Sequence, residues 1–347
     1  MFRPDLSSYD QTRSNGKGKN EQNHIYRELY EVMMRTLLLP LGWLFFAVVA
    51  LRRALYRFGF FVSVRLPVPV VIVGNITVGG NGKTPLVIWL VEEMMRRGRH
   101  PGVISRGYGG AVQGVLEVHD ESVAMEVGDE PLLIRRRGRC PVFVGRDRVA
   151  TGQALLAAYP LCDLIISDDG LQHYRLKREV EIAVEDGRGL ENGLPLPAGL
   201  LREPLSRLDS VDFLIANGWD GPDDADFNMR IDGDHFYRLD SPDQTCIAMA
   251  FAYQRLHAVA GIGNPSRFFL HLIARGLVFE PHAFPDHHPY TAADLAFEGD
   301  AILTTEKDAV KFGSLAHLPV WVLPVTATVN PKLAQLILEK IDGCPTA

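Results

Sequence analysis

Cysteine is scarce in this chain. Four of its 347 residues, Cys140, Cys162, Cys246 and Cys344, are cysteine, and none stands in a Cys-x-x-Cys spacing. That argues against a disulfide framework or a zinc centre and for reduced cytosolic thiols. Net basic charge is lacking too: the total is −6. Residues 1–65 nevertheless hold ten Lys/Arg against five Asp/Glu, leaving −11 on the body. A basic end on an acidic body argues against nucleic acid as the main partner and for an anionic surface met by the N-terminus. The chain also lacks an internal repeat and a long uncharged apolar run. The longest, residues 36–51, has sixteen residues between Arg35 and the arginines 52, 53 and 57. As a helix it reaches ~24 Å, short of a ~30 Å hydrocarbon core. Pro40 and Gly42 weaken that helix. No small-residue cleavage site follows, so a signal peptide is not expected. The run reads as an interfacial anchor, with Trp43, Phe45 and Phe46 in lipid and the arginines at headgroups.

What the chain has is a phosphate-binding signature. Residues 77–84 read TVGGNGKT, between a strand-like run at 69–73 and a helix-like run at 86–95. A strand, a Gly-rich turn ending in Gly-Lys-Thr and then a helix is the context a P-loop requires. Gly79, Gly80 and Gly82 let backbone N–H groups close on phosphate oxygens, with Thr77, Val78, Asn81 and Pro85 completing the loop. The helix start adds free N–H groups and a positive dipole end. Lys83 would reach the β- and γ-phosphates of a nucleotide, and the Thr84 hydroxyl would bind Mg²⁺. Thr77 stands where the standard motif has its first glycine.

Downstream, strand and helix patterns alternate, which implies a mainly parallel sheet covered on both faces. Ligands in such folds bind at the carboxyl ends of strands, and the motif-rich loops fall there. The run 162–167 is a buried strand ending in Asp168-Asp169-Gly170, as in a Walker B element, so both aspartates are candidate Mg²⁺ ligands. Asp129 and Glu130 stand at a loop-to-helix junction, where Asp serves equally as a helix cap or as a general base toward an attacking hydroxyl. Residues 284–290, FPDHHPY, put His287 beside a carboxylate, an arrangement suited to acid–base chemistry or to a plain surface loop. No further His or Cys stands at metal-ligand spacing from it. Arg106 and Arg146, at strand-end loops, are candidates to hold a substrate phosphate. The runs GIGNP (261–265) and TTEKD (304–308) read as capped helix starts.

The fold class expected is α/β: a P-loop NTPase core with a mainly parallel sheet, a smaller C-terminal α/β lobe and an N-terminal membrane-associated helix. The boundaries read as a disordered extension (1–24), a membrane-associated helical segment (25–62), the core (63–222), the lobe (223–321), and a closing strand and helix (322–347) returning to the core. Three activities are compatible with these parts. A kinase acting at a membrane uses every one of them. An NTPase switch needs no base for an acceptor, and a kinase for small metabolites needs no anchor.

The runs VGNITVGGNGKTP, SRGYGG, VGDEP, VGRDR, DDGLQH, LPAGLLREP, GIGNP, FPDHHPY and TTEKDAVK occur in this order from Val73 to Lys311. As an ordered set they resemble the tetraacyldisaccharide 4'-kinase family, the lipid A kinases of Gram-negative bacteria. That family's P-loop also lacks the first glycine. Leu171 replaces the family's usual Phe, and Leu200 a Pro. The resemblance implies transfer of the ATP γ-phosphate to the 4'-hydroxyl of a tetraacylated glucosamine disaccharide 1-phosphate, on the cytoplasmic face of the inner membrane; no obligate protein partner is evident from the sequence. It implies that Asp129 is the base, paired with His287. It also implies that Lys83, Thr84 and Asp168 meet the nucleotide and Mg²⁺. Glu130, next to Asp129, joins Arg106 and Arg146 as a candidate substrate contact.

Overall fold

The computed structural model describes residues 8–80, 82–186, 193–218 and 225–343, with side chains from Met33 onward. The proposed P-loop residue Asn81, part of the polar break at 222–226, and Cys344 lie outside them.

A single helix, α1, runs Ser8–Arg57 and passes through Pro40. Residues 8–24, read from composition as a disordered extension, continue this helix, since each residue added to an existing helix gains a hydrogen bond without a new nucleus. Its apolar part, Met33–Arg57, is 25 residues long, and every residue of it but Gly42 is exposed or half-buried. At ~1.5 Å per residue this is ~37 Å, enough to cross a ~30 Å hydrocarbon core. The sequence-based length estimate fell short because it stopped at the flanking arginines, whose long stems extend an apolar helix. Gly42 is the buried point of this stretch. A Cβ there would stand 2.8 Å from the Pro195 ring, so the helix rests on the 195–196 loop at its smallest residue. Its end is tied down by Arg53, whose guanidinium donates to Ser210 Oγ at 2.7 Å.

The core begins with β1 (Val70–Gly74), all five residues buried. A strand buried on both faces is continuously apolar, the mark of a central parallel strand. Then follow α2 (Lys83–Arg96), β2 (Pro101–Ser105), β3 (Val115–Glu117), α3 (Ala124–Val127), α4 (Asp129–Gly138), β4 (Val142–Gly145), α5 (Arg148–Ala158), β5 (Leu164–Asp168), β6 (Val180–Asp186), β7 (Phe213–Asn217) and β8 (Phe227–Asp232). The lobe holds β9 (His235–Arg238), β10 (Ser241–Ile247), β11 (Leu256–Ala260), α6 (Pro265–Ala274), β12 (Phe279–Ala283), β13 (Ala301–Thr305), α7 (Glu306–Phe312) and β14 (Val320–Leu323), before β15 (Thr326–Val329) and α8 (Lys332–Asp342).

Among the described residues the larger sheet has the order β15-β8-β7-β6-β1-β5-β2-β4-β3. It is parallel except at its two edges. The smaller sheet runs β10-β9-β14-β13-β11-β12. The chain thus leaves the large sheet after β8 and returns with β15. A boundary at residue 222 falls before β8, and a closing segment from 322 begins inside β14, which pairs with β13 in the smaller sheet. β8 mixes apolar and polar residues and β14 is wholly apolar, and only their pairing assigns each to its sheet. Helix α8 closes the core by burying Leu333, Ala334, Ile337 and Ile341, one face of a 3.6-residue period. The lobes meet where α7 packs on α4.

Candidate active site

The strand β1 delivers the chain into the Gly-rich loop, and α2 opens at Lys83 with Gly82 as its N-cap, at φ 89°. A Cβ at Gly82 would stand 2.5 Å from Asn217 Nδ2 and 2.7 Å from Ile231 Cδ1. Glycine is therefore required twice, for the left-handed backbone and for the close approach of β7 and β8. The lobe comes equally near: a Cβ on Gly263, in the GIGNP loop, would meet Gly80 N at 2.9 Å. Between the lobes lies a cavity of about 210 Å³, lined by Lys83, Thr84 and Glu130 from the core and by Gly263, Arg267 and Lys307 from the lobe.

Beside the loop, β5 ends at Asp168, which is fully buried. Ser105 Oγ donates to Asp168 Oδ2 at 3.3 Å. The other oxygen, Oδ1, has no hydrogen-bond partner among the described residues. Burial, reinforced by the Glu130 and Asp169 charges, pushes this carboxyl up to about 7. A buried carboxyl with an unused oxygen, beside the strand that leads into the phosphate loop, suits a hard cation that takes few protein oxygens. Asp169, at φ 48°, turns toward the cations instead: Lys83 Nζ is 3.6 Å from Oδ1 and Arg202 donates to Oδ2 at 2.9 Å. Burial opposes its charge, but Lys83 and Arg202 outweigh burial and hold it below the ordinary carboxylate value. The donor set thus fits Mg²⁺ best through Thr84 and Asp168, with Asp169 bound to the cationic side chains.

On the other wall, Gly128 ends α3 and Asp129 opens α4. Asp129 is 3% exposed. His287 Nδ1 lies 2.9 Å from its Oδ1 and 3.0 Å from its Oδ2, although the two stand in different lobes. Burial would raise the Asp129 carboxyl, yet the His287 hydrogen bond and the charges of Lys307, His287 and Lys311 hold it below its ordinary value. Burial would lower His287, but the bond to Asp129 holds it above its ordinary value. The Tyr108 ring stands edge-on to the imidazole, centroids 5.0 Å apart. The two assignments left open for Asp129 and His287 in the sequence thus meet in one contact.

Lys307 and Lys311 stand four apart on α7 and so on one helix face; Lys307 lies in the capped helix start 304–308, and both lie in the family-like run TTEKDAVK. Lys307 Nζ donates to Glu130 at 2.9 Å and to Asp286 at 3.1 Å. Burial works against its charge, and the carboxylates of Glu130, Asp129 and Asp286 overcome that and hold it above its ordinary value. Lys311 Nζ bridges Asp308, at 2.9 Å, and Asp129, at 3.7 Å. The run and the spacing of its two lysines were the sequence signals for them, with no role attached. Their carboxylate partners lie far away in the chain. Glu130 is therefore tied to the lobe. Arg106 and Arg146 are exposed past the ends of β2 and β4 and have no ion-pair partner among the described residues.

A P-loop facing a buried acidic strand end, with a carboxylate–imidazole pair opposite, defines a phosphotransferase of the P-loop class. The family model for tetraacyldisaccharide-1-P 4'-kinase matches residues 34–342, and the chain belongs to that family. A tetraacyldisaccharide 4'-kinase from Azoarcus sp. (strain BH72) is 52% identical over 318 residues, covering 90% of this chain and 93% of its own. That of Aromatoleum aromaticum is 51% identical over 320 residues, 90% of this chain and 95% of its own. Among solved structures, LpxK from Aquifex aeolicus in complex with ATP superposes with a TM-score of 0.77 at 29% identity, covering 89% of this chain and 99% of that one.

Proposed function

We propose that this kinase transfers the γ-phosphoryl group of ATP to the 4'-hydroxyl of a tetraacyldisaccharide 1-phosphate, at the cytoplasmic face of the inner membrane. The observation that carries the reading is the Asp129–His287 contact, 2.9 Å across the lobes and opposite the P-loop. Asp129, held ionised, takes the proton of the attacking hydroxyl, and His287 orients the carboxylate and balances its charge. The N–H groups of Gly79, Gly80, Gly82, Lys83 and Thr84 and the Lys83 ammonium hold the transferring phosphates. Thr84 and Asp168 would hold Mg²⁺, which supplies charge neutralisation on the phosphate oxygens. Asp169 keeps Lys83 aimed into the loop. Glu130 orients Lys307 in the cleft, and Arg106 and Arg146 take the anionic part of the lipid. The exposed apolar face of α1, together with Phe58, Phe60 and Val62, brings the site to a substrate with four acyl chains.

The deciding measurement is phosphate transfer from labelled ATP to the lipid disaccharide in mixed micelles. Product that appears only with lipid present is expected. ATP hydrolysis at an equal rate with and without lipid would favour the switch reading and overturn this one.

A further inference from the structure

On the lobe, the outer strand β12 pairs in parallel with β11, His257 opposite Glu280 and Val259 opposite His282. Side chains alternate along a strand, so His257, Glu280 and His282 share one face of the sheet. His257 Nδ1 and His282 Nε2 are 3.0 Å apart. Glu280 Oε2 is 3.7 Å from His257 Nδ1. One ligand atom from each residue lies within 4.8 Å of the others. Ligand atoms ~2.0–2.2 Å from a tetrahedral ion stand roughly 3.3–3.6 Å apart, so small side-chain rotations suffice.

The surroundings prepare the rings for this. His257 is buried, and its Nε2 lies 3.2 Å from the carbonyl of Glu298. An N–H donated to a backbone carbonyl is the usual outer support of a ligating histidine, because it fixes the tautomer and leaves the other nitrogen's lone pair free. Here that nitrogen is Nδ1, the atom facing His282 and Glu280. Phe297 stacks on both imidazoles, centroids 4.6 Å and 4.1 Å away, which restricts their rotation.

We propose that His257, Glu280 and His282 form a three-ligand site for a divalent transition metal, with Zn²⁺ the ion that two imidazoles and one carboxylate suit best. Mg²⁺ prefers oxygen ligands and is disfavoured by the two nitrogens. The spacing rules applied to the sequence miss the site, since its ligands come from two strands joined only by register. Its place gives it a structural role. The ion would pin β12, whose end at Ala283 leads directly into the loop carrying Asp286 and His287. The inference does not depend on which acceptor the kinase uses.

The test uses the untagged full-length protein in detergent, stripped with chelator and titrated with Zn²⁺ against a chromogenic competitor. The variants are His282→Gln and Glu280→Gln. Glu280 is exposed on the outer strand, so Glu280→Gln keeps the fold. Wild type should take up one equivalent more than His282→Gln. Glu280→Gln should bind more weakly by over the ~10- to 100-fold typical of losing an outer-shell partner. Co²⁺ in place of Zn²⁺ should give wild type alone the visible absorption of a four-coordinate ion. Zn²⁺ should raise the Tm of wild type and not of His282→Gln. Equal uptake and equal Tm in wild type and His282→Gln would show that the imidazoles only hydrogen-bond each other, and would overturn the site. Unchanged affinity in Glu280→Gln would overturn the carboxylate ligand and with it the three-ligand centre.

Discussion

At the residue scale, two side chains of the P-loop face make separable predictions. Lys83 is largely buried, 3.6 Å from Asp169. Its replacement by alanine removes a fixed positive charge from phosphates that gain charge at the transferring centre. Lys83→Ala should lower kcat by ~10²- to 10³-fold, the usual loss for one preorganised stabilising group. Wild-type turnover in this variant would remove the P-loop from the mechanism. Asp168 makes the second prediction, through pH. Burial first, then Glu130 and Asp169, raise its carboxyl to about 7 from 3.8. Below about 7 it holds a proton that competes with a cation, and above about 7 it is an ionised ligand. The Mg²⁺ concentration for half-maximal rate should therefore fall as pH rises through about 7. A raised carboxyl also costs the metal-free fold stability as pH rises from 3.8 to about 7. Mg²⁺ should then raise the Tm more above that pH than below it. In Asp168→Asn both pH effects should vanish. A Mg²⁺ requirement independent of pH in wild type would show that Asp168 is not the ligand.

At the element scale, α1 is the element proposed to meet the membrane. Leu37, Trp43, Leu44 and Val48 are all more than half exposed, on a helix long enough to span a bilayer. Such a face in water is a large uncompensated apolar surface. Deleting residues 1–60 should release the protein from anionic vesicles in flotation. It should also impair action on dispersed lipid far more than ATP binding. A truncated protein that still floats would place the anchor elsewhere. The sequence displayed the apolar run but not its length as a helix, because Pro40 and the arginines look like stops. A proline costs one intrahelical bond and adds steric strain, and here the helix continues through it on both sides. The hairpin β9–β10 and the edge strand β12 were equally illegible. Their exposed residues are polar or mixed, so no clean alternation marks them, and cross-strand pairing defines them.

At the scale of the whole molecule, the lobes are held together by charges that cross the cleft. Asp129 meets His287, Glu130 meets Lys307, and Arg137 meets Glu306 at 2.8 Å. The pair proposed for the acceptor hydroxyl is thus also an interlobe contact. Asp129→Asn should cut kcat by ~10²- to 10⁴-fold, the scale of a positioned base, with ATP affinity nearly unchanged. His287→Ala should cost less. The double variant should be little worse than Asp129→Asn, since groups that act as a unit are not additive. Losses that multiply would break the dyad. The pH dependence of stability has a defined sign. His287 is raised above 6.5 in the fold, so its contribution is full below 6.5 and is lost as pH rises through the raised value. Asp129 is held below 3.8, so its contribution is present above 3.8 and is lost only as pH falls through the lowered value. The Tm difference between wild type and His287→Ala should therefore be largest between these limits and shrink in alkali.

The sequence by itself determined the phosphate loop, the acidic strand end and the βα alternation. Each is a local property: a glycine spacing, a buried apolar run ending in aspartates, a capped helix start. Local backbone preference and burial period write such features into consecutive residues. Their order along the chain was enough to point to the family. The tertiary structure gives the Asp129–His287 pair, which the resemblance implied, its contact distance, and it alone decided that Glu130 is tied to Lys307, that Asp169 faces Lys83 and Arg202, and that two histidines and a glutamate share one face of the lobe. These contacts join residues remote in sequence, through strand register and the packing of α7 on α4. A one-residue shift of register would turn His257 to the opposite face of the sheet. Such geometry is fixed by the burial of whole elements against one another, and no short stretch of chain encodes it.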